Sequence, residues 1–483
     1  MKKSSSVLVL IAILVSCSTQ PIPDIKESLK PKEEVVSKSS SSPIPVPIVK
    51  PSVSQPVPSA SISPINENKK SFLLTAEDIK KVTDSKLVQA NNSFGTKLFL
   101  NIAKEDLKKN TFISPTSASI ALQMAYNGSD TTTKDEMKKA LEINNISLEE
   151  LNSLNKLLNI KLSNPASDIT LNVANSLWAD NKRIEIKEKF KTDLETFYNA
   201  TAQSLDFSDS NSANIINKWC EDKTNGKIKD VVNPKEFNPD STLLAYLINA
   251  IYFKADWKEK FKKESTQPND FTLLDGTKVK KDFMYSFRNF GYYSSSNKYI
   301  NGQIVQEENK FELAKLDYGK DGKLSLYIFL PDSTSSLDKF YTYLTGENID
   351  NWIGSVYSGE GNISFPKFKM KEKYNLIPSL KKQGMNLAFV EGKSDFKNLG
   401  IPKGSFDPSI IYISKVNQDV FVDVNEEGSE AAAVTSISFA GSTSSGPSNV
   451  LRFVADRPFF YIIRDNETKS NLFMGSIVNP EYK

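Results

Sequence analysis

The residues best placed to do chemistry lie near the C-terminus. From Asn425 the chain continues through Glu426, Glu427, Gly428, Ser429, Glu430, Ala431, Ala432, Ala433, Val434 and Thr435. In an extended chain alternate side chains share a face. Ser429, Ala431, Ala433 and Thr435 then form one face of small groups, with no charge to bury and nothing to clash, while Glu430 points the opposite way to solvent. Such a face can slide into a sheet that is already packed, and Gly428 permits the backbone angles of a hinge. An Ala-rich helix start capped by Ser429 is the competing reading of the same residues. Residues 436–449 have no sustained hydrophobic period and are rich in Ser and Gly, which predicts an exposed, mobile loop. A turn around Arg457 and Pro458, a β-rich run through Asp465 and a last run from Phe473 to Pro480 complete the chain.

Other chemistry is excluded by what the chain lacks. It contains no histidine, so Ser-His and Cys-His catalysis and His-ligated zinc are ruled out. No spacing of Asp and Glu marks a catalytic dyad, and the phosphate-loop pattern is absent. The expectation is therefore no enzyme, no cofactor and no metal. With 61 basic and 58 acidic residues the net charge is +3, which offers no nucleic-acid partner. The run from Lys258 to Lys263 reads as a solvated charged face.

The N-terminus predicts export and anchoring. Lys2 and Lys3 precede an apolar stretch over residues 7–15 that is too short for a stable membrane span. Leu14, Val15, Ser16 and Cys17 resemble a bacterial lipobox, which implies a leader over 1–16 and lipidation of Cys17. An ordinary secretory signal with an incidental Cys is the alternative. Each buried methylene of an acyl chain contributes about 0.8 kcal/mol to anchoring. Residues 17–75 are rich in Pro and Ser and read as a disordered tether, whose extended form reaches roughly 150 Å. The expected location is a bacterial cell envelope, lipid-anchored and facing periplasm or exterior. Cys220 is the only other cysteine, so no intramolecular disulfide remains once Cys17 is lipidated; Cys220 reads as a small buried apolar residue, with a reactive thiol as the alternative.

No linker interrupts residues 76–483, and strand patterns alternate there with helical ones, which predicts one large α+β body. Along it, Asn110, Phe112, Ser114, Pro115 and Ser117 open a helix pattern over 118–126 that Asn127 and Gly128 end. Thr133 and Glu136 have capping-box spacing for the next helix. Leu247 to Trp257, with Asn249 inside it, reads as a strand. Asn217, Trp219, Thr224, Gly226, Lys227 and Ile228 form a helix and turn. Residues 324–331 and 365–369 read as further strands, and Leu380 to Gly384, Ala388, Phe389, Asp395 and Phe396 follow.

These motifs, in this order, together with the hinge and the loop after it, resemble the serpin family from about residue 80 to the end. The resemblance implies a large central β-sheet with further sheets, about eight or nine helices and an exposed reactive-centre loop at 436–449. It implies a monomeric suicide inhibitor that forms a covalent 1:1 complex with a serine protease, or a cysteine protease. The protease cuts the loop, an acyl-enzyme forms, and the hinge strand inserts into the main sheet. Fourteen inserted residues would give a strand of about 46 Å. Charge or Pro at inward hinge positions marks non-inhibitory relatives; Ser429, Ala431, Ala433 and Thr435 carry neither. A non-inhibitory binding protein with the same fold is the alternative.

Counting from Gly428 as the family does implies cleavage at Ser442-Thr443, while counting back from Pro458 points nearer Pro447. The window therefore covers Phe439, Ala440, Gly441, Ser442, Thr443, Ser444, Ser445 and Gly446. Ala440 or Ser442 suits elastase-like or subtilisin-like enzymes and Phe439 a chymotrypsin-like one; without Lys or Arg the window disfavours trypsin-like enzymes. The resemblance also implies a sheet-opening region of Ser114, Ser117, Asn249, Gln418 and Trp257. The family usually has His where this chain has Gln418. Gln both donates and accepts, so it can keep a bond to Asn249, and it cannot titrate. Sheet opening is therefore expected to be less sensitive to pH.

Overall fold

A computed structural model of the chain describes residues 74–163, 168–300, 303–305, 310–404, 408–429 and 450–482. Cys17 and the tether up to residue 73 lie outside them, as do Glu430 to Thr435 of the hinge and the whole loop with Ser442 and Thr443. A compact unit runs over Lys69–Lys483. Its described residues hold ten α-helices, two of them of only five and six residues, so the eight longer ones match the expected number.

Strand Ala245–Asp256 is buried along nearly its whole length. Its near-continuous apolar run is that of a strand covered on both faces rather than the alternation of a half-exposed one. It lies in a six-stranded sheet whose order is Phe368–Asn375, Lys415–Val424, Gly428–Ser429, Ala245–Asp256, Ile169–Asp180 and Thr201–Leu205. A nine-stranded sheet contributes most of the remaining strands. The main core fills the space between the sheets and most of the helices. A second, smaller core with Trp178, Phe207, Ile216, Cys220, Phe237 and Tyr246 joins helix Asn211–Lys223 to the central sheet.

Helix Pro115–Gly128 is buried at every residue and contacts the strands Ile169–Asp180 and Ala245–Asp256. Pro115 opens it at the first turn, where a missing N–H costs nothing. A Cβ on Gly95 of helix Lys86–Ala103 would stand 2.1 Å from the Cβ of Pro115, so only glycine allows these two helices to meet. The next helix begins earlier than the sequence predicts. Asp130 caps helix Thr131–Ala140, and Thr133 lies inside it, where its hydroxyl accepts the Asp395 N–H at 2.9 Å. The capping-box reading of Thr133 and Glu136 fails because Glu136 is engaged elsewhere, accepting the N–H groups of Asn386 and Leu387, each at 2.7 Å.

Candidate functional site

Two parallel strands that part at one end form the site. Lys415–Val424 pairs with Ala245–Asp256 from Lys415↔Tyr246 to Phe421↔Tyr252. Beyond Phe421 the direct pairing stops and a third segment enters. Val424 pairs with Ser429, and Ser429 with Ala255 on its other side. Gly428 and Ser429 thus sit between the two strands, antiparallel to both.

The chain reaches this position through a tight turn. Asn425 N–H donates to Gly428 O at 2.9 Å, and Gly428 N–H returns a bond to Asn425 O at 3.2 Å. Gly428 has φ +154°, and a Cβ there would lie 2.0 Å from the carbonyl oxygen of Ala255. Glycine is therefore required by contact with the neighbouring backbone as well as by its own conformation. Ser429 is fully buried, and its hydroxyl shares a 2.8 Å hydrogen bond with that of Tyr318.

Charged and aromatic groups fasten the turn. Trp257 Nε1–H donates to Asn425 O at 2.8 Å, and the indole stacks on Tyr318 with centroids 4.3 Å apart. Stacking of this kind contributes about 0.5–1.5 kcal/mol beyond burial. The Trp257 and Phe261 N–H groups donate to Glu427 O and Glu426 O. Glu426 accepts from Thr266 at 2.8 Å and pairs with Lys367 at 3.2 Å. Lys260 and Lys263 hold Glu427 at 2.8 and 3.1 Å. Burial alone would raise the Glu427 carboxyl, but the bonds from the two lysines outweigh it and keep the group below the usual range. The run from Lys258 to Lys263 is thus more than a solvated face, because two of its lysines are ion-paired to the hinge.

A buried polar cluster closes the paired part of the two strands. Gln418 Nε2–H donates to Asn249 Oδ1 at 2.7 Å and to Ser114 O at 2.8 Å, and Gln418 Oε1 accepts from Ser114 N–H at 3.0 Å. Asn249 Nδ2–H donates to the Ser117 hydroxyl and to Asn175 Oδ1. Four of the five residues expected in the sheet-opening region therefore meet. Trp257 does not join them; it sits at the parted end, beside the hinge turn. Asn175 was missed, although a polar residue on the strand face otherwise made of Ile169, Leu171, Val173, Leu177 and Ala179 is a signal for it.

The neighbour of Gln418 faces the other side of the sheet. Asp419 is 5% exposed, and its Oδ2 has no partner among the described residues. Cys220 of the covering helix and Tyr246 of the central strand lie close enough to interact with its charge, as do Lys371 and Lys373 of the edge strand. Burial pushes its carboxyl up to about 7 against the weaker opposing pull of the two lysines. A carboxyl that is harder to ionise in the closed form stabilises that form at low pH, and the stability is lost as pH rises through the folded value. The closed sheet should therefore weaken between an ordinary Asp value of 3.8 and about 7. Asp419→Asn should flatten that dependence, as thermal melts across the range will show. The expectation of reduced pH sensitivity considered position 418 alone, whereas Asp419 brings a titrating group to the same ladder.

Comparison with known proteins agrees with this geometry. Residues 89–480 match the family model described as "Serpin (serine protease inhibitor)". The chain is 33% identical to the leukocyte elastase inhibitor of Equus caballus, over 82% of this chain and 99% of that one. It is 32% identical to Serpin I2 of Homo sapiens, over 81% and 91% respectively. The crystal structure of tengpin, a thermophilic serpin in the native state, superposes with a TM-score of 0.71 at 32% identity, covering 82% of this chain and 95% of that one.

Proposed function

The chain belongs to the serpin family, and from that premise we propose that it is a suicide-substrate inhibitor whose hinge strand completes the central sheet after a protease cuts its loop. The observation that carries this is Gly428–Ser429, already held between the two strands that insertion must separate. Carrying the Ser429 register onward would set Ala431 between Val422 and Phe253, Ala433 between Val420 and Ile251, and Thr435 between Gln418 and Asn249. The small inward side chains bring neither charge nor bulk to these places. At the last of them a strand between Gln418 and Asn249 must break their hydrogen bond, and the Thr435 hydroxyl can bond to either amide in its place.

The target protease attacks a loop carbonyl with its nucleophile, forms an acyl bond and releases the new N-terminus. The freed hinge then gains a ladder of backbone bonds on both sides, which drives insertion. A strand of about 46 Å carries the bound protease along the body before water completes the reaction. The window from Phe439 to Gly446, with Ser442-Thr443 at its centre, favours elastase-, subtilisin- or chymotrypsin-like targets. The leukocyte elastase inhibitor among its relatives supports the first of these. The leader, Cys17 and the Pro/Ser-rich segment support a lipid-anchored inhibitor at a bacterial envelope, acting as a monomer in a covalent 1:1 complex.

Sequencing the C-terminal peptide released by each protease checks the loop assignment. Its first residue is expected between positions 440 and 447, with the cut made by an enzyme of the named classes. Efficient cleavage within 436–449 by a trypsin-like enzyme would contradict the specificity.

A further inference from the structure

The loop that fastens the hinge also lines a cavity of about 230 Å³, together with Arg288, Lys315 and Asp317. Lys258 and Glu259 are the loop's contribution. Arg288 is 7% exposed. Its guanidinium donates to the carbonyl of Glu259 and, at 3.0 Å, to that of Lys260, and lies 4.1 Å from the ring centre of Phe261. It makes no ion pair among the described residues, and its Nε has no partner there. Burial brings its pKa down to about 10, so it stays cationic at neutral pH, with Glu259 opposing the shift from a distance.

A buried guanidinium held by carbonyls and a ring, without a carboxylate in contact, is an incomplete arrangement. The acidic groups of the lining do not complete it. Asp317 is engaged by Lys315 at 3.1 Å and by the Ser325 hydroxyl at 2.7 Å. Lys258 has no ion pair among the described residues. The lining then holds three cations, Lys258, Arg288 and Lys315, against two carboxylates, Asp317 and the exposed Glu259, and the volume lies below the roughly 300–1,000 Å³ typical of drug-sized ligands. We propose that this cavity binds a compact oxyanion, inorganic phosphate or a short dicarboxylate, on Arg288 and Lys258, and that occupancy tightens the hinge turn.

The coupling follows from shared backbone. Arg288 holds the carbonyls of Glu259 and Lys260, while Lys260 Nζ grips Glu427 and Phe261 N–H donates to Glu426 O. An anion that binds the loop in this arrangement stabilises the turn built on it, and any effect is reciprocal. The binding claim stands apart from the inhibitory reading; only its consequence for protease trapping rests on that reading.

The test titrates the full chain with inorganic phosphate and, separately, malonate, at constant ionic strength, and follows Tm and hydrogen exchange at the Gly428 and Ser429 amides. Expected is a saturable rise in Tm with half-effect near or below ~1 mM, slower exchange at both amides, and a loss of affinity of about tenfold or more in Lys258→Met. Lys258 is exposed, so this variant keeps the fold even if Arg288→Met does not. A response that never saturates, or is equal in Lys258→Met, is a general salt effect and overturns the site. Saturable binding with unchanged exchange overturns the coupling. Binding and slowed exchange in a chain that traps no protease would support this inference and contradict the inhibitory reading.

Discussion

Ser429→Arg should abolish protease trapping while leaving the loop cleavable. Ser429 has no exposed surface, sits between Val424 and Ala255, and bonds to Tyr318. An arginine there would place a charge in the buried space beside the Trp257–Tyr318 stack. An uncompensated buried charge costs about 3 kcal/mol or more, so residues 428 and 429 should leave the sheet in the intact protein. After cleavage the strand would have no seated first residues from which to insert. The acyl-enzyme would then be hydrolysed, turning the inhibitor into a substrate. The measurement is the number of inhibitor molecules consumed per protease inactivated, which should rise from near one to a value too large to define. Ser429→Ala is the control: it loses one hydrogen bond, worth about 0.5–1.5 kcal/mol, and should still trap. An arginine variant that inhibits normally would show that insertion does not start at this residue.

Gln418→Leu should strongly destabilise the closed sheet. The side chains are similar in size, but leucine leaves Asn249 Oδ1 and both backbone groups of Ser114 without the bonds that Gln418 supplies. Ser114 O keeps the Ala118 N–H, so two buried groups, Asn249 Oδ1 and Ser114 N–H, are left unpaired at about 1–3 kcal/mol each, about 2 kcal/mol or more in total. Tm should fall by several degrees, and the strands should part more readily even without cleavage. Gln418→His is the informative companion. An imidazole can keep one donor and one acceptor, and its charge changes between pH 5 and 8. The His variant should stay close to the parent in stability at pH 8 and lose the closed form as the pH falls. That slope is opposite in sign to the one Asp419 provides. A leucine variant as stable as the parent would mean that the polar cluster does not hold the strands together.

Much of this was legible in the chain because the informative features are local. Small residues at every second position mark the hinge, and the motif at Asn110 to Ser117 marks the buried helix start. The match of Gln418 to the family's His position led directly to Asn249. What escaped was set by distance. Asn249 and Trp257 lie on one continuous run, but eight residues of strand span about 26 Å. Grouping Trp257 with the polar cluster therefore placed it at the wrong end of the site. Tyr318 comes to the site from the end of strand Phe311–Tyr318 and Lys367 from the link between Tyr357–Pro366 and Phe368–Asn375, and nothing in their immediate sequence announces it. The lysines at 260 and 263 looked like solvent-facing charge because their partner, Glu427, lies far along the chain. The Thr133 cap failed because the side chain was needed by Asp395, another distant residue.

The most direct test of the central claim is to incubate the full chain with an elastase-like, a subtilisin-like and a chymotrypsin-like protease and resolve the products on denaturing gels. The account predicts a band of inhibitor plus protease that survives boiling in detergent with at least one of them. Clean cleavage of the loop by all three, with no such band and no gain in melting temperature, would contradict it and leave a serpin fold that does not trap.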